Sequence, residues 1–312
     1  MHKQLNLLTI LVMMTGLTAL SEGGPGGFVH CAALSSPVLT SCTCDDTHTG
    51  PTAIQDAVNH AEQGDTVCIG TGTYNEQVII TESITLQGND YLHTTIQPSS
   101  VTANTTNLAT NVPVAAIILV DGATRVTIKD MTIDGGLVGN TSSCGPDFVG
   151  IFYRASSGSI EATLVNNIMH PSELGCQGDL GIFVQSDTSL GGANARVSVL
   201  GSMVVNYGKN GITANEEGTS LTMQGSIVIG LSDVPGVAAQ NGVQIAFGAR
   251  GTVTGNLIAN NSNLLDDFLS CGVIFSLARG GGRPTSDNAI VGNEQDLCGV
   301  LGGVSPSLSL VQ

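Results

Sequence analysis

The sequence predicts one right-handed parallel β-helix, and three observations carry that reading. Gly followed by Ile or Val recurs at Gly150, Gly181, Gly211, Gly242 and Gly272, at separations of 31, 30, 31 and 30 residues. The composition, with 41 Gly, no Trp, 4% aromatic and 11% charged residues, belongs to many short strands and turns rather than to helices. A short amphipathic helix near residue 52 precedes a series of strand-length apolar pieces.

A period of this length describes stacked, nearly equivalent units, none of which buries its apolar face alone. The Gly, Val and Thr content excludes a helical solenoid. A left-handed β-helix needs a six-residue repeat and a propeller needs longer blades with aromatic signatures; neither is visible. Between the anchor glycines sits a second apolar strand, at Thr163 to Ile168, Val197 to Val205, Leu221 to Ile229 and Val253 to Ile258. Asn167, Asn206, Asn256 and Asn260 stand beside it, where amides can hydrogen-bond along the stack. A weaker return of the repeat falls at Gly299-Val300.

Taken in order, residues 1–21 read as a cleaved secretion signal: His2 and Lys3, an apolar run from Leu5 to Leu20, then small residues at Ala19 and Ser21. That run, about 15 residues with Thr and Gly interruptions, is short of the roughly 20 needed to span a bilayer. Residues 22–50 are rich in Gly, Ser, Thr and Pro without apolar periodicity and read as a disulfide-pinned leader. Residues 51–312 form the β-helix domain, with order beginning near Pro51. Eight Cys in an exported chain favour disulfides between neighbouring coils. The expected pairs are Cys42 or Cys44 with Cys68, Cys144 with Cys176, and Cys271 with Cys298. A metal site at Cys42-Thr43-Cys44 lacks a second Cys/His pair at zinc spacing, so no metal is assigned.

Thr52 is the expected N-cap of a helix in which Ile54, Ala57, Val58 and Ala61 form one apolar stripe. Residues 64–88, GDTVCIGTGTYNEQVIITESITLQG, then offer strand pieces at Val67 to Ile69, Gln77 to Ile80 and Ile84 to Leu86. Helix and strands together resemble the N-terminal cap and first coil of pectinesterases and other pectin-lyase-like proteins. The resemblance implies a helix that plugs the open end of the solenoid. It implies fold rather than activity, and it makes Glu76 of GTYNE a scaffold residue.

The net charge of -16, from 25 acidic residues against 9 Lys and Arg, leaves no basic patch for nucleic acid. It also weighs against a polyanionic substrate such as pectate or alginate, whose carboxylates need cations beside them. Neutral glycans, or acidic ones bridged by calcium, stay open. No membrane partner is expected after signal cleavage, and the mature chain is expected to be a secreted monomer.

Strand alternation assigns the functional surface. One and three residues after each anchor glycine, apolar side chains such as Ile151, Ile182, Ile212 and Val243 form inner stacks. The +2, +4 and +6 columns face outward, gathering Arg154, Gln185, Asp187, Asn215 and Glu217 beside an exposed aromatic pair, Phe152 and Phe183. Phe152, Arg154, Phe183, Gln185 and Asn215 are the expected substrate contacts, and Asp187, Glu217 and Arg154 the weak catalytic candidates. Amides bond sugar hydroxyls, rings cover apolar sugar faces and paired acids exchange protons. The rival reading is a solvated face on which Arg154 pairs with Asp187 for a fraction of a kcal/mol.

No catalytic string of the fold's hydrolases, esterases or lyases is recognisable. His170 reads as a loop residue, with Glu173 and Asp179 the nearest carboxylates for a calcium ion, although no EF-hand pattern exists. Two functions follow. One is a secreted protein that binds or acts on polysaccharide, as a lyase, hydrolase or esterase if it is an enzyme. The other is a non-catalytic extracellular structural or surface-binding protein, which the missing strings favour. The inserts at residues 97 to 114 and 140 to 149 would separate them by walling a cleft.

Overall fold

A computed structural model describes residues 27–36, 40–136, 143–170, 175–189, 195–232, 239–263, 269–278 and 287–299. The expected signal, residues 1–21, lies outside them. From Thr66 to Ser276 the chain visits three parallel sheets in turn, A, then B, then C, and each visit adds one strand beside the previous one; Ala289–Val291 and Gln295–Cys298 then extend sheets B and C. That topology is a parallel β-helix. Sheet C, which matters most below, stacks Val78–Ile80, Pro113–Asp121, Asp147–Arg154, Leu180–Gln185, Asn210–Asn215, Asn241–Ala246, Cys271–Ser276 and Gln295–Cys298.

The anchor glycines are in register. Ile151 pairs with Ile182, Ile182 with Ile212, Ile212 with Val243 and Val243 with Val273, all fully buried. Close approach explains the recurring glycine at Gly181, where a Cβ would lie 2.5 Å from the Gly211 carbonyl oxygen and from Val204 Cγ1. Val273 pairs with Leu297, so Asp296 holds the last anchor position; of the return expected at Gly299-Val300, Gly299 lies three residues past that anchor and Val300 lies outside the described residues.

Each stretch between anchors holds two strands rather than one: Val197 to Val205, for example, divides into Arg196–Leu200 of sheet A and Met203–Tyr207 of sheet B, bent at Gly201. A left-handed residue at such a corner resets the alternation that made the piece read as continuous. The leader is not outside the solenoid either. Val29–Ala33 pairs with both Asp46–Thr49 and Thr66–Ile69 in sheet A, so order begins well before Pro51. Cysteines locate this edge: Cys31 bonds Cys44 and Cys42 bonds Cys68, while Cys144–Cys176 and Cys271–Cys298 join later coils.

The single helix among the described residues, α1 (Ala53–His60), buries Ile54, Ala57 and Val58. Thr52 makes no capping bond; its hydroxyl donates to Asp56. Glu76 takes that role, accepting from the N–H groups of Ile54 at 3.1 Å and Gln55 at 2.9 Å. A carboxylate on the first-turn donors satisfies groups the helix cannot, and it sits at the positive end of the dipole. The acid of GTYNE therefore ties helix to coil. Asn side chains bridge the corners as well, with Asn167 donating to Asp134 and Asn206 to Asn166, each at 2.9 Å.

Candidate functional site

The outward surface of sheet C is where sequence and structure diverge most. Leu119, Phe152 and Phe183 align across three strands, and the two Phe rings stack with centroids 4.6 Å apart. They face away from the central core, as alternation requires. They are not exposed: Phe152 is 0% and Phe183 1% accessible, packed with Val114, Ala116, Val149 and Leu180. The pair expected to cover a sugar face is a second, outer apolar cluster. Alternation fixes the side a residue points to, not whether another segment covers that side.

A covering segment is visible. Thr105–Thr106 pairs antiparallel with the start of Pro113–Asp121, and the chain then crosses the outer face. Arg154 donates through Nε to the Thr106 carbonyl at 3.1 Å, Leu108 N–H donates to Gln185 at 2.9 Å, and Gln185 donates to Asn107 Oδ1 at 3.0 Å. This part of the 97 to 114 insert is a strap rather than a cleft wall. Of the second insert, residues 140–142 lie outside the described residues.

The remaining candidates divide into two groups. Gln185 and Asn215 are fully buried, and Asn215 accepts from Gln244 at 3.0 Å within an amide network that includes Asn210, Thr213 and Asn241. The rim at the C-terminal ends of the strands stays accessible. There Arg154 pairs with Asp121 at 2.9 Å rather than with Asp187. Asp187 is half-buried and accepts from the backbone and hydroxyl of Ser189, and Glu217 is exposed.

Two residues of this rim escaped the sequence reading. Asp121 occupies the same column as Arg154, but its strand carries Ile117 at the anchor position, so no glycine marked it. Strict alternation points Glu216 inward, but its φ of 77° turns the chain at that position. Its carboxyl is half-buried beside Gln185, and Oε1 has no hydrogen-bond partner among the described residues. Burial raises its pKa above the ordinary glutamate value, and the bond with Gln185 offsets part of that shift.

A second titratable group sits at the opposite, N-terminal end of the same strands. His170 lies in a loop, as expected, but it is buried: its Nδ1 lies 2.5 Å from Asp179 Oδ1, and its backbone N–H donates to Asp179 Oδ2 at 2.7 Å. Asp147 stands beside this pair, and burial, then the charge of Asp179, pushes its carboxyl up to about 6. Lys209 in the next coil is fully buried, donates to the Ala239 carbonyl at 2.6 Å, and is brought down by burial to about 7. Such shifts collect at functional sites, although structural networks produce them too. Glu173 lies outside the described residues.

No family model and no curated protein sequence matches the chain. Among solved structures it is similar to an alginate lyase from Paenibacillus sp. FPU-7, at 14% identity and a TM-score of 0.48 over 86% of this chain and 97% of that one. A pectin methylesterase from Erwinia chrysanthemi is similar at 13% identity and a TM-score of 0.41, over 92% and 100% of the two chains. A GH136 lacto-N-biosidase from Eubacterium ramulus is similar at 15% identity and a TM-score of 0.45, over 80% of this chain and 55% of that one. The architecture of the present chain stands on its own sheet pairing. Its four disulfides fit an oxidising compartment, and no helix of the described residues is long and apolar enough to cross a membrane.

Proposed function

We propose that the chain is a secreted right-handed β-helix protein that binds or acts on polysaccharide at the rim of sheet C, around Asp121, Arg154, Asp187, Glu216 and Glu217. The observation that carries this reading is the Glu216 carboxyl: half-buried, raised in pKa, and holding an oxygen without a partner among the described residues. A buried acceptor left unsatisfied costs roughly 1–3 kcal/mol, which a donor such as a sugar hydroxyl would recover. In its protonated form the same group donates to a hydroxyl or a glycosidic oxygen. Arg154, held by Asp121, supplies a positioned cation for a polar or anionic sugar substituent.

The reading takes the mature chain as an extracellular monomer without nucleic-acid or membrane partners. A non-catalytic structural or surface-binding role is the second reading, favoured by the closed middle of the face, where Phe152, Phe183, Gln185 and Asn215 are all buried. The two are separated by incubating the mature protein with plant, algal and bacterial polysaccharides, with and without calcium. Release of unsaturated or reducing ends supports an enzyme, retention alone a binding protein, and silence on every glycan the structural role.

A further inference from the structure

The first coil carries a cluster that neither the rim nor the scaffold uses. His30 lies on Val29–Ala33, and Asp46 and His48 lie on the adjacent parallel strand Asp46–Thr49. The register sets His30 opposite Asp46 and Ala32 opposite His48. The two-residue period of a strand then brings both imidazoles and the carboxylate to one face. His30 Nδ1 is 3.0 Å from Asp46 Oδ1, and His48 Nε2 is 3.3 Å from Asp46 Oδ2. One donor atom from each of the three residues lies within 4.8 Å of the others.

We propose that His30, Asp46 and His48 form a binding site for a divalent first-row transition ion of the zinc class. Two imidazole nitrogens and one carboxylate oxygen are a donor set such ions accept, with water completing the coordination. The support behind the ligands points the same way. The far nitrogen of His30, Nε2, lies 3.4 Å from Asp65 Oδ2, a carboxylate behind an imidazole of the kind that orients metal-binding histidines. Asp65 is itself fixed, accepting from the N–H groups of Phe28 at 2.9 Å and Glu62 at 2.7 Å.

The ligand-bearing strands are braced before any ion arrives. The Cys31–Cys44 disulfide joins the residue after His30 to a residue just before Asp46, and the His60 ring of α1 packs on His48 at 4.8 Å between centroids. His30 is buried and the His48 side chain is 15% exposed, whereas the Asp46 side chain is 37% exposed and leaves a way in for the ion and its water. With an ion on Nδ1, neutral His30 carries its single ring proton on Nε2, where it donates to Asp65 Oδ2.

The test is titration of the metal-free, full-length mature protein with zinc chloride by calorimetry, and with cobalt chloride followed by visible absorption. The expected result is one equivalent of zinc per chain, cobalt bands of a low-symmetry nitrogen and oxygen site, and a zinc-dependent rise in melting temperature. Asp46→Asn keeps the shape of a partly exposed side chain and His48→Ala truncates one on the edge strand of sheet A; each is expected to stay folded and to bind at least ~100-fold more weakly, whereas Arg154→Ala binds as the parent does. Absence of saturable zinc binding in the parent, or unchanged stoichiometric binding in both variants, overturns the proposal. The outcome is independent of any glycan activity at the rim.

Discussion

The two faces of sheet C are both buried, but by different means. The inner face repeats one solution in every coil, with Ile151, Ile182, Ile212, Val243 and Val273 stacked in register. The outer face changes character along the stack, from the Leu119, Phe152 and Phe183 cluster to the Thr213 hydroxyl and the amides of Gln244 and Asn241, and it is closed partly by the strap. A periodic inner face is what stacking itself demands. The irregular outer face belongs to whatever covers it and to whatever the protein does there.

The comparison breaks most visibly on the inner side. Ile212→Asp puts a charge into the central stack at a cost of several kcal/mol, so thermal unfolding should find no cooperative native transition. A normal melt would mean that Ile212 does not face the core. Phe183→Ala tests the outer side: as a buried ring it should lose about 3–5 kcal/mol in denaturant unfolding, close to an inner-core truncation. A loss of a few tenths would return Phe183 to the exposed position that alternation alone suggests.

Asp147 probes the N-terminal ends of the strands. Its folded-state pKa, about 6, lies above its unfolded value near 3.8, so the folded state binds the extra proton between them. Stability from this group is therefore lost as pH rises through that window and is flat beyond it. Asp147→Asn should gain melting temperature relative to the parent between about pH 4 and pH 6, and no further above pH 7. A constant difference across the range would contradict the assignment. Arg154→Ala removes a partly exposed ion pair and one bond to the strap, for about 1 kcal/mol or less by chemical denaturation. A much larger fall would make Arg154 a strut of the strap before anything else.

The stacking direction, the inner columns and the anchor register were readable because they recur, and recurrence exposes itself in one chain. What was hidden depends on single events. Ile117 in place of an anchor glycine concealed the coil that carries Asp121, and the left-handed turn at Glu216 broke the parity on which side-chain direction was read. Thr105 and Thr106 gave no sign that their segment would lie over Arg154 and Gln185 rather than beside them. The leader escaped for the same reason: two short strands, His30 on one and His48 on the other, carry no periodicity until they pair.

The open rim carries the proposed function, and the closed middle of the face does not. Retention of the parent and of Glu216→Gln on the glycan panel, with melting temperatures measured alongside, tests it most directly. The parent is expected to bind or cleave at least one polysaccharide, and Glu216→Gln to melt within a few degrees of it while losing cleavage or at least ~10-fold in affinity. Unchanged glycan binding and turnover in Glu216→Gln would contradict it.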